Sequence, residues 1–189
     1  PGYGSCYIHE HVNDAMKPIF ASQIPVGIDD CSLYVPSLYL PISDLAKARG
    51  IEPAKLEKGL GLSTMAVPDA SEDAVTMAAE ALLDLVSKNK LQPGDIGRIY
   101  VGTESMVDGS KPIASYLQGI LFDYYQKQGI DANLLRHCDA VDMTFACIGA
   151  TDAMLNCLDW IRLNHNRKAI VIATDWAKYD LDSPGEYTQ

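Results

Sequence analysis

The stretch VDMTFACIGATDAML, residues 141–155, changes from the apolar pattern of a strand to that of a helix, and Cys147 stands at the change. A cysteine in the first turn of a helix meets unpaired backbone N–H groups and the positive end of the helix dipole. Both favour the thiolate, which is the nucleophilic form. The stretch therefore predicts a strand–helix corner that carries either a reactive thiol or a buried structural cysteine, which is common in protein cores.

Strand and helix patterns alternate on both sides of this corner. Apolar runs typical of strands occur at residues 26–40, 96–105, 140–145 and 169–174, and helical patterns occur at residues 42–50, 52–61, 71–90, 111–128 and 148–163. Strands separated by helices imply βαβ crossovers and a mostly parallel or mixed sheet with helices on its faces. The predicted fold class is α/β, and ligands are expected at the carboxyl ends of the strands.

Residues 71–90 give the strongest helical signal. At 3.6-residue spacing one face collects the apolar residues Val75, Ala78, Ala79, Leu82, Leu83 and Val86. Ser71 or Asp69 is expected to cap the start of this helix. For the shorter helix in ISDLAKARG we expect Ser43 as the N-cap and Gly50 as the end.

Composition and charge limit the function classes. The chain has 189 residues with 48% hydrophobic and 21% charged residues, and its net charge of −10 argues against a general nucleic-acid binder. No apolar run has the length of a membrane span, and the start lacks the pattern of a signal peptide. Five cysteines without a C-x-x-C pair are typical of reduced thiols, so we predict a cytoplasmic protein that does not bind membranes.

Residues 1–25 differ from the rest of the chain. They are rich in turn residues and contain Cys6, His9 and His11 in a C-x-x-H-x-H cluster. Three candidate ligands with no fourth in view are a weak signal for a metal ion, so no metal site is predicted. We interpret residues 1–25 as an unassigned tail or foreign segment, and residues 26–189 as one domain that carries the cysteine.

Glu104 follows the strand pattern IYVGT, so it lies at the same predicted edge of the sheet as Cys147. It is either a solvated loop carboxylate or a general acid/base held near the thiol. Histidine is the usual partner of a nucleophilic cysteine. However, His137 lies at the opposite end of its strand from Cys147 and His165 lies near a helix C-terminus, so neither is a convincing base.

Four segments together resemble a known family: VGIDDCSLYVPSLYLPISDLA, IYVGTESMVDGSKP, FACIGATDAML and AIVIATDWAKYDLDSPGEYTQ. In this order they resemble the N-terminal half of hydroxymethylglutaryl-CoA synthase, of the bacterial mevalonate-pathway type, within the thiolase superfamily. The resemblance implies one half of an α-β-α-β-α layered, thiolase-like fold, usually found as a dimer. It also implies condensation of acetyl-CoA with acetoacetyl-CoA and water to give 3-hydroxy-3-methylglutaryl-CoA, with these thioesters as substrates and no cofactor.

The resemblance also assigns roles to residues. Cys147 matches the nucleophile that accepts the acetyl group, and Glu104 matches the glutamate that removes a proton from the acetyl methyl group. Ala146, a small residue beside the thiol, is expected to contact substrate. The segment FACIG departs from the EAC form of many relatives, so the surroundings of the thiol are expected to differ.

Four further positions are predicted to bind substrate. Tyr179 matches a tyrosine near the acyl site, and Thr188 matches a threonine that contacts substrate. Glu52 and Lys55 fall where the family contacts the CoA end, and Lys55 is suited to pair with phosphate. A solvated helix lysine is an equally good interpretation of Lys55.

The family is about twice as long as this chain, and its second half brings the catalytic histidine. We therefore expect half a site, completed by a homodimer partner or by a chain that supplies the C-terminal half, and no full turnover by this chain alone. Two alternatives remain open. One is a β-branching synthase that acts on a β-ketoacyl chain bound to a carrier protein. The other is a non-catalytic truncated or scaffold subunit.

Overall fold

The computed structural model describes residues 25–59, 61–176, 178–180 and 183. A parallel sheet of three strands lies at its centre, in the order β4–β3–β5: β3 is Ile96–Gly102, β4 is Asp139–Met143 and β5 is Lys168–Ala173. Strand β3 is the middle strand and nearly all of its residues are buried, as expected for a parallel strand that is covered on both faces. The predicted α/β class is confirmed.

Helices cover the two faces of this sheet. Helices α3 (Ala74–Asn89) and α4 (Ile113–Lys127) pack on one face, where the main core contains Ile99 and Val101 of β3. Helix α5 (Gly149–Leu163) packs on the other face against Tyr100. Alternate residues of β3 therefore pack into opposite cores, because successive side chains of a strand point to opposite faces of the sheet.

The caps of the helices differ in part from the predictions. Helix α3 begins at Asp73, whose Oδ1 accepts from Thr76 N at 2.8 Å while Asp73 N donates to Thr76 Oγ1 at 2.7 Å. This capping box replaces the predicted Ser71 or Asp69. The first helix, α1, spans Ile42–Arg49 and starts directly after Pro41, so Ser43 lies inside it and is not its cap. Gly50 ends it in the left-handed conformation, as predicted.

A small unit precedes the sheet. Strands β1 (Leu38–Pro41) and β2 (Thr64–Val67) pair antiparallel, and between them α1 and the short helix α2 (Pro53–Glu57) bury four residues: Ile42, Leu45, Ala46 and Leu56. Strand β2 was not predicted, because its four residues are too few to show a period.

The strand predicted over residues 26–40 is mostly wrong. Residues 25–36 have no regular secondary structure, and they lie along α3 through side-chain contacts. Ser32 donates to Asp84 and Tyr34 donates to Glu72. Apolar sequence is not sufficient for a strand, because a strand also needs a neighbour for its backbone groups.

Strand β4 also fixes the start of α4. Asp142 Oδ2 accepts from Ile113 N at 2.6 Å, and Asp142 Oδ1 accepts from Ala114 N at 3.0 Å. A carboxylate at a helix N-terminus satisfies unpaired N–H groups and complements the helix dipole. This contact joins α4 to the strand whose end leads to Cys147.

Two features are absent from the described part of the chain. None of its helices has the length and apolar character needed to cross a membrane. Within the same residues no group of His, Cys, Asp and Glu is arranged to hold a metal ion. The Cys6, His9 and His11 cluster lies outside the described residues, and the boundary between residues 25 and 26 remains a prediction.

The stability of the fold should decrease in alkali because two thiols are buried. Burial raises the pKa of Cys138 from 9.0 to about 12 and that of Cys157 from 9.0 to about 11. A group with a raised pKa in the folded state stabilises the fold below its unfolded pKa and ceases to do so as pH rises to the folded value. Urea unfolding should therefore show stability unchanged below about pH 9 and falling towards pH 12, by on the order of 3 kcal/mol at pH 11 for Cys138 alone.

A pair of variants isolates this contribution. Cys138→Ala should reduce the loss of unfolding free energy between pH 9 and 11, whereas Cys31→Ala should leave it unchanged, because Cys31 is exposed. Equal slopes in the wild-type chain and Cys138→Ala would contradict the assignment.

Candidate functional site

Cys147 lies where the sequence predicts it, at a strand–helix corner. It is in a 3-10 turn, Ala146–Ile148, that follows β4 and leads directly into α5. Its side chain is exposed, whereas Cys157 and Cys138 are buried. Helix α5 begins two residues after Cys147, so the positive end of its dipole lies at the same corner. The alternative of a buried structural cysteine is therefore excluded for Cys147.

Glu104 lies beside this thiol. Cys147 Sγ is 3.7 Å from Glu104 Oε1, although 43 residues separate them in the chain. Glu104 follows the end of β3 and Cys147 follows the end of β4, and the two strands are parallel neighbours. The carboxyl ends of parallel neighbours share one edge of the sheet, which is why the two side chains meet.

The residue before the thiol has an uncommon backbone. Ala146 is exposed and has φ of 41°, in the left-handed region that residues with a Cβ adopt rarely. This conformation turns the chain sharply between β4 and α5. The sequence predicts Ala146 as a substrate contact, and its place beside the sulfur is compatible with that role.

Asp175, which the sequence analysis did not select, holds the loop that carries Glu104. Its Oδ1 accepts from Glu104 N at 2.7 Å, from Thr103 Oγ1 at 3.0 Å and from Ser105 Oγ at 3.1 Å. Ser105 Oγ in turn accepts from Trp176 N at 3.0 Å. Asp175 follows the end of β5, as Glu104 follows the end of β3 and Cys147 that of β4. The presence of an acidic residue after the third strand was the sequence signal that would have identified it.

A cavity of about 500 Å³ opens beside Glu104. Met106, Val107, Trp176 and Tyr179 give it an apolar and aromatic wall, and Lys178 adds a cation. The ammonium group of Lys178 lies 3.3 Å from the centroid of the Trp176 ring. Tyr179 thus shares this cavity with Glu104, and its role near the acyl site remains a prediction.

Two predicted positions, Glu52 and Lys55, do not line this cavity. Glu52 is the N-cap of α2 and Lys55 lies within α2, and both are exposed. Their roles at the CoA end therefore remain predictions. Thr188 lies outside the described residues, and its role is likewise a prediction.

Comparison with known proteins gives a consistent result. Residues 23–185 match the family model described as Hydroxymethylglutaryl-coenzyme A synthase N terminal. Hydroxymethylglutaryl-CoA synthase of Haloferax volcanii is 41% identical over 167 residues, which cover 87% of this chain and 36% of that protein. The enzyme of the same name from Enterococcus faecalis is 35% identical over 164 residues, covering 87% of this chain and 39% of that protein.

Solved structures agree with the sequence relatives. A structure described as MvaS in complex with 3-hydroxy-3-methylglutaryl coenzyme A superposes with a TM-score of 0.71 at 39% identity, covering 86% of this chain and 37% of that chain. This chain thus spans little more than a third of the length of these relatives. The resemblance seen in the sequence and its thiolase-like fold are confirmed, and the chain belongs to the hydroxymethylglutaryl-CoA synthase N-terminal family.

Proposed function

We propose that this chain is the nucleophile-bearing part of a hydroxymethylglutaryl-CoA synthase, which condenses acetyl-CoA with acetoacetyl-CoA in the mevalonate pathway. The observation that carries the proposal is the 3.7 Å contact between Cys147 Sγ and Glu104 Oε1 at the edge of the sheet. A thiol and a carboxylate at this separation combine a nucleophile with a general base.

In the first step the thiolate of Cys147 attacks the carbonyl carbon of acetyl-CoA. A bond forms between Sγ and that carbon, the carbon–sulfur bond to CoA breaks, and CoA leaves as its thiol after taking up a proton. The positive end of the α5 dipole lies at this corner and is suited to stabilise the oxyanion of the intermediate.

In the second step Glu104 removes a proton from the methyl group of the acetyl thioester. That methyl carbon is two bonds from the sulfur, so a carboxylate 3.7 Å from the sulfur is within reach of its protons. The resulting enolate carbon attacks the ketone carbon of acetoacetyl-CoA, and the ketone oxygen takes up a proton. Water then hydrolyses the thioester to Cys147, releasing a carboxylate and restoring the thiol.

The acceptor side of the reaction needs more protein than the described residues provide. We propose that a further part of the full protein, or a partner chain such as a second copy, supplies it. Apolar residues exposed at the start and along the outer side of α5 support this: Phe145, Ile148, Met154, Leu155 and Leu163. Exposed apolar side chains of this size are typical of a surface that another protein segment covers. Phe145 and Ile148 flank Cys147 in the chain, so whatever covers them also borders the site.

Mass spectrometry after acid quenching tests the proposal. The protein is mixed with acetyl-CoA, and its peptides are mapped for an added acetyl group. We expect one acetyl group on Cys147 and none on Cys31, which is also an exposed thiol but lies beside the C-terminal end of α3, where Lys88 Nζ donates to its carbonyl oxygen, and not at a helix N-terminus. A folded protein that gains no acetyl group, or that gains it equally at both thiols, would contradict the proposal.

A further inference from the structure

Gly102, the last residue of β3, lies against the backbone of α5. A Cβ built on Gly102 would lie 2.0 Å from Ala150 N, 2.4 Å from Ala150 Cα and 2.6 Å from the carbonyl carbon of Gly149. All three atoms belong to the backbone of the first turn of α5, so no side-chain rotation can make room. The position requires glycine because two backbones touch there.

Gly149, the first residue of α5, makes the matching contact. A Cβ built on it would lie 2.4 Å from Met143 O and 3.4 Å from Gly102 Cα. Met143 O also accepts a hydrogen bond from Thr103 N at 3.2 Å. The ends of β3 and β4 and the start of α5 therefore meet directly, without an intervening side chain.

We propose that Gly102 and Gly149 are positioning residues that set the distance between Cys147 and Glu104. Gly102 lies two residues before Glu104, and Gly149 lies two residues after Cys147. Counted along the chain, the contact between these glycines is thus the backbone contact nearest to both functional side chains. Two residues of backbone separate it from each of them. This inference rests on the proposed function, since it names what holds its nucleophile and base together.

Gly102→Ala tests the inference. The added carbon must push the start of α5 away by about 1.4 Å, from 2.0 Å to the 3.4 Å of ordinary contact, and a misplacement of about 1 Å already costs about 100-fold in rate. We expect exchange of the acetyl methyl hydrogens with deuterated solvent to fall about 100-fold. Acetylation of Cys147 should fall by less than about 10-fold, because it does not use the carboxylate.

Two glycines provide matched controls. Gly97→Ala lies on the same strand at its opposite end, and its added carbon meets the Trp160 ring at 2.1 Å. It should lower stability without lowering methyl exchange. Gly119→Ala has open space around it on α4, so it should raise stability slightly, because alanine is the better helix former, and leave methyl exchange unchanged. Gly149→Ala is a second test variant that perturbs the junction less, because one carbonyl oxygen is its only contact under 3.4 Å.

A second readout does not depend on acetyl-CoA. Glu104→Gln removes a negative charge 3.7 Å from the sulfur, so it should accelerate alkylation of Cys147 by iodoacetamide. In a double-mutant cycle, the acceleration should be smaller in the Gly102→Ala background, because the carboxylate is then farther away. A merely structural role of Gly102 would leave this acceleration unchanged.

The outcomes separate the two proposals. A wild-type protein that is not acetylated contradicts the proposed function. In that case the double-mutant cycle of Glu104→Gln and Gly102→Ala, measured by alkylation, still tests the role of the two glycines. The inference is overturned if Gly102→Ala and Gly149→Ala exchange methyl hydrogens at the wild-type rate, if Gly97→Ala loses exchange equally, or if the alkylation coupling is unchanged.

Discussion

Replacing Glu104 with alanine should leave acetylation of Cys147 intact while lowering condensation by about 10³-fold. The thiol attacks acetyl-CoA without help from a carboxylate, whereas proton removal from the acetyl methyl group needs a base close to the sulfur. Among the described residues, Glu104 is positioned to act as this base, because its Oε1 lies 3.7 Å from Cys147 Sγ. Rapid quenching and mass spectrometry measure the acetyl adduct, and methyl hydrogen exchange measures proton removal. Formation of 3-hydroxy-3-methylglutaryl-CoA is measured with the same substitution in the full protein, which includes the acceptor side.

Glu104→Gln should show the same loss, because it keeps the shape of the side chain but accepts no proton. Glu80→Ala, at an exposed position on α3, is the control and should change neither step. Loss of acetylation in Glu104→Ala would show that the carboxylate acts earlier than we propose. Condensation at the wild-type rate would remove Glu104 from the mechanism.

Replacing Asp175 with alanine should lower methyl hydrogen exchange by about 100-fold, although Asp175 touches neither the sulfur nor the substrate carbon in the proposed mechanism. Its Oδ1 accepts hydrogen bonds from three consecutive residues, 103–105, and the shortest bond comes from the backbone of Glu104. Without that oxygen the loop loses three hydrogen bonds, and the Glu104 carboxylate is held less firmly beside the sulfur. The fully buried Thr103 also loses its acceptor, which costs about 1–3 kcal/mol in unfolding free energy.

Asp175→Asn separates positioning from charge. It retains an acceptor oxygen, so it should recover most of the exchange rate and most of the stability measured by urea unfolding. Asp131→Ala is the matched control, because Asp131 accepts from Asn133 N at 2.9 Å in a different loop. It should lower stability slightly and leave exchange unchanged. Wild-type exchange in Asp175→Ala would mean that the loop is held by other contacts.

The regular elements were predictable where the apolar pattern is long. The face of α3 predicted from 3.6-residue spacing is the face that packs into the main core, with Ala78, Ala79, Leu82 and Val86 buried. Strand β3 was identified by its continuous apolar run. In both cases burial repeats along the element, so many residues carry the same signal.

The caps and the first strand were not predictable in the same way. Asp73, rather than Ser71 or Asp69, caps α3, because the capping box depends on Thr76 and on the angle at which the chain enters the helix. Residues 26–36 have a strand-like composition, yet they lie along α3 by side-chain contacts. Whether such a segment becomes a strand is decided by the backbone that lies next to it.

The sequence by itself determined the strand–helix corner at Cys147, the position of Glu104 after a buried strand, and the family to which both belong. These features are local, because they depend on residues that are close along the chain. Only the tertiary structure decided that Sγ and Oε1 lie 3.7 Å apart, that Asp175 holds the Glu104 loop, and that Gly102 and Gly149 bring the strand ends against α5. The reason is physical: each of these contacts joins segments distant in sequence, and their separation is set by how strands and helix pack.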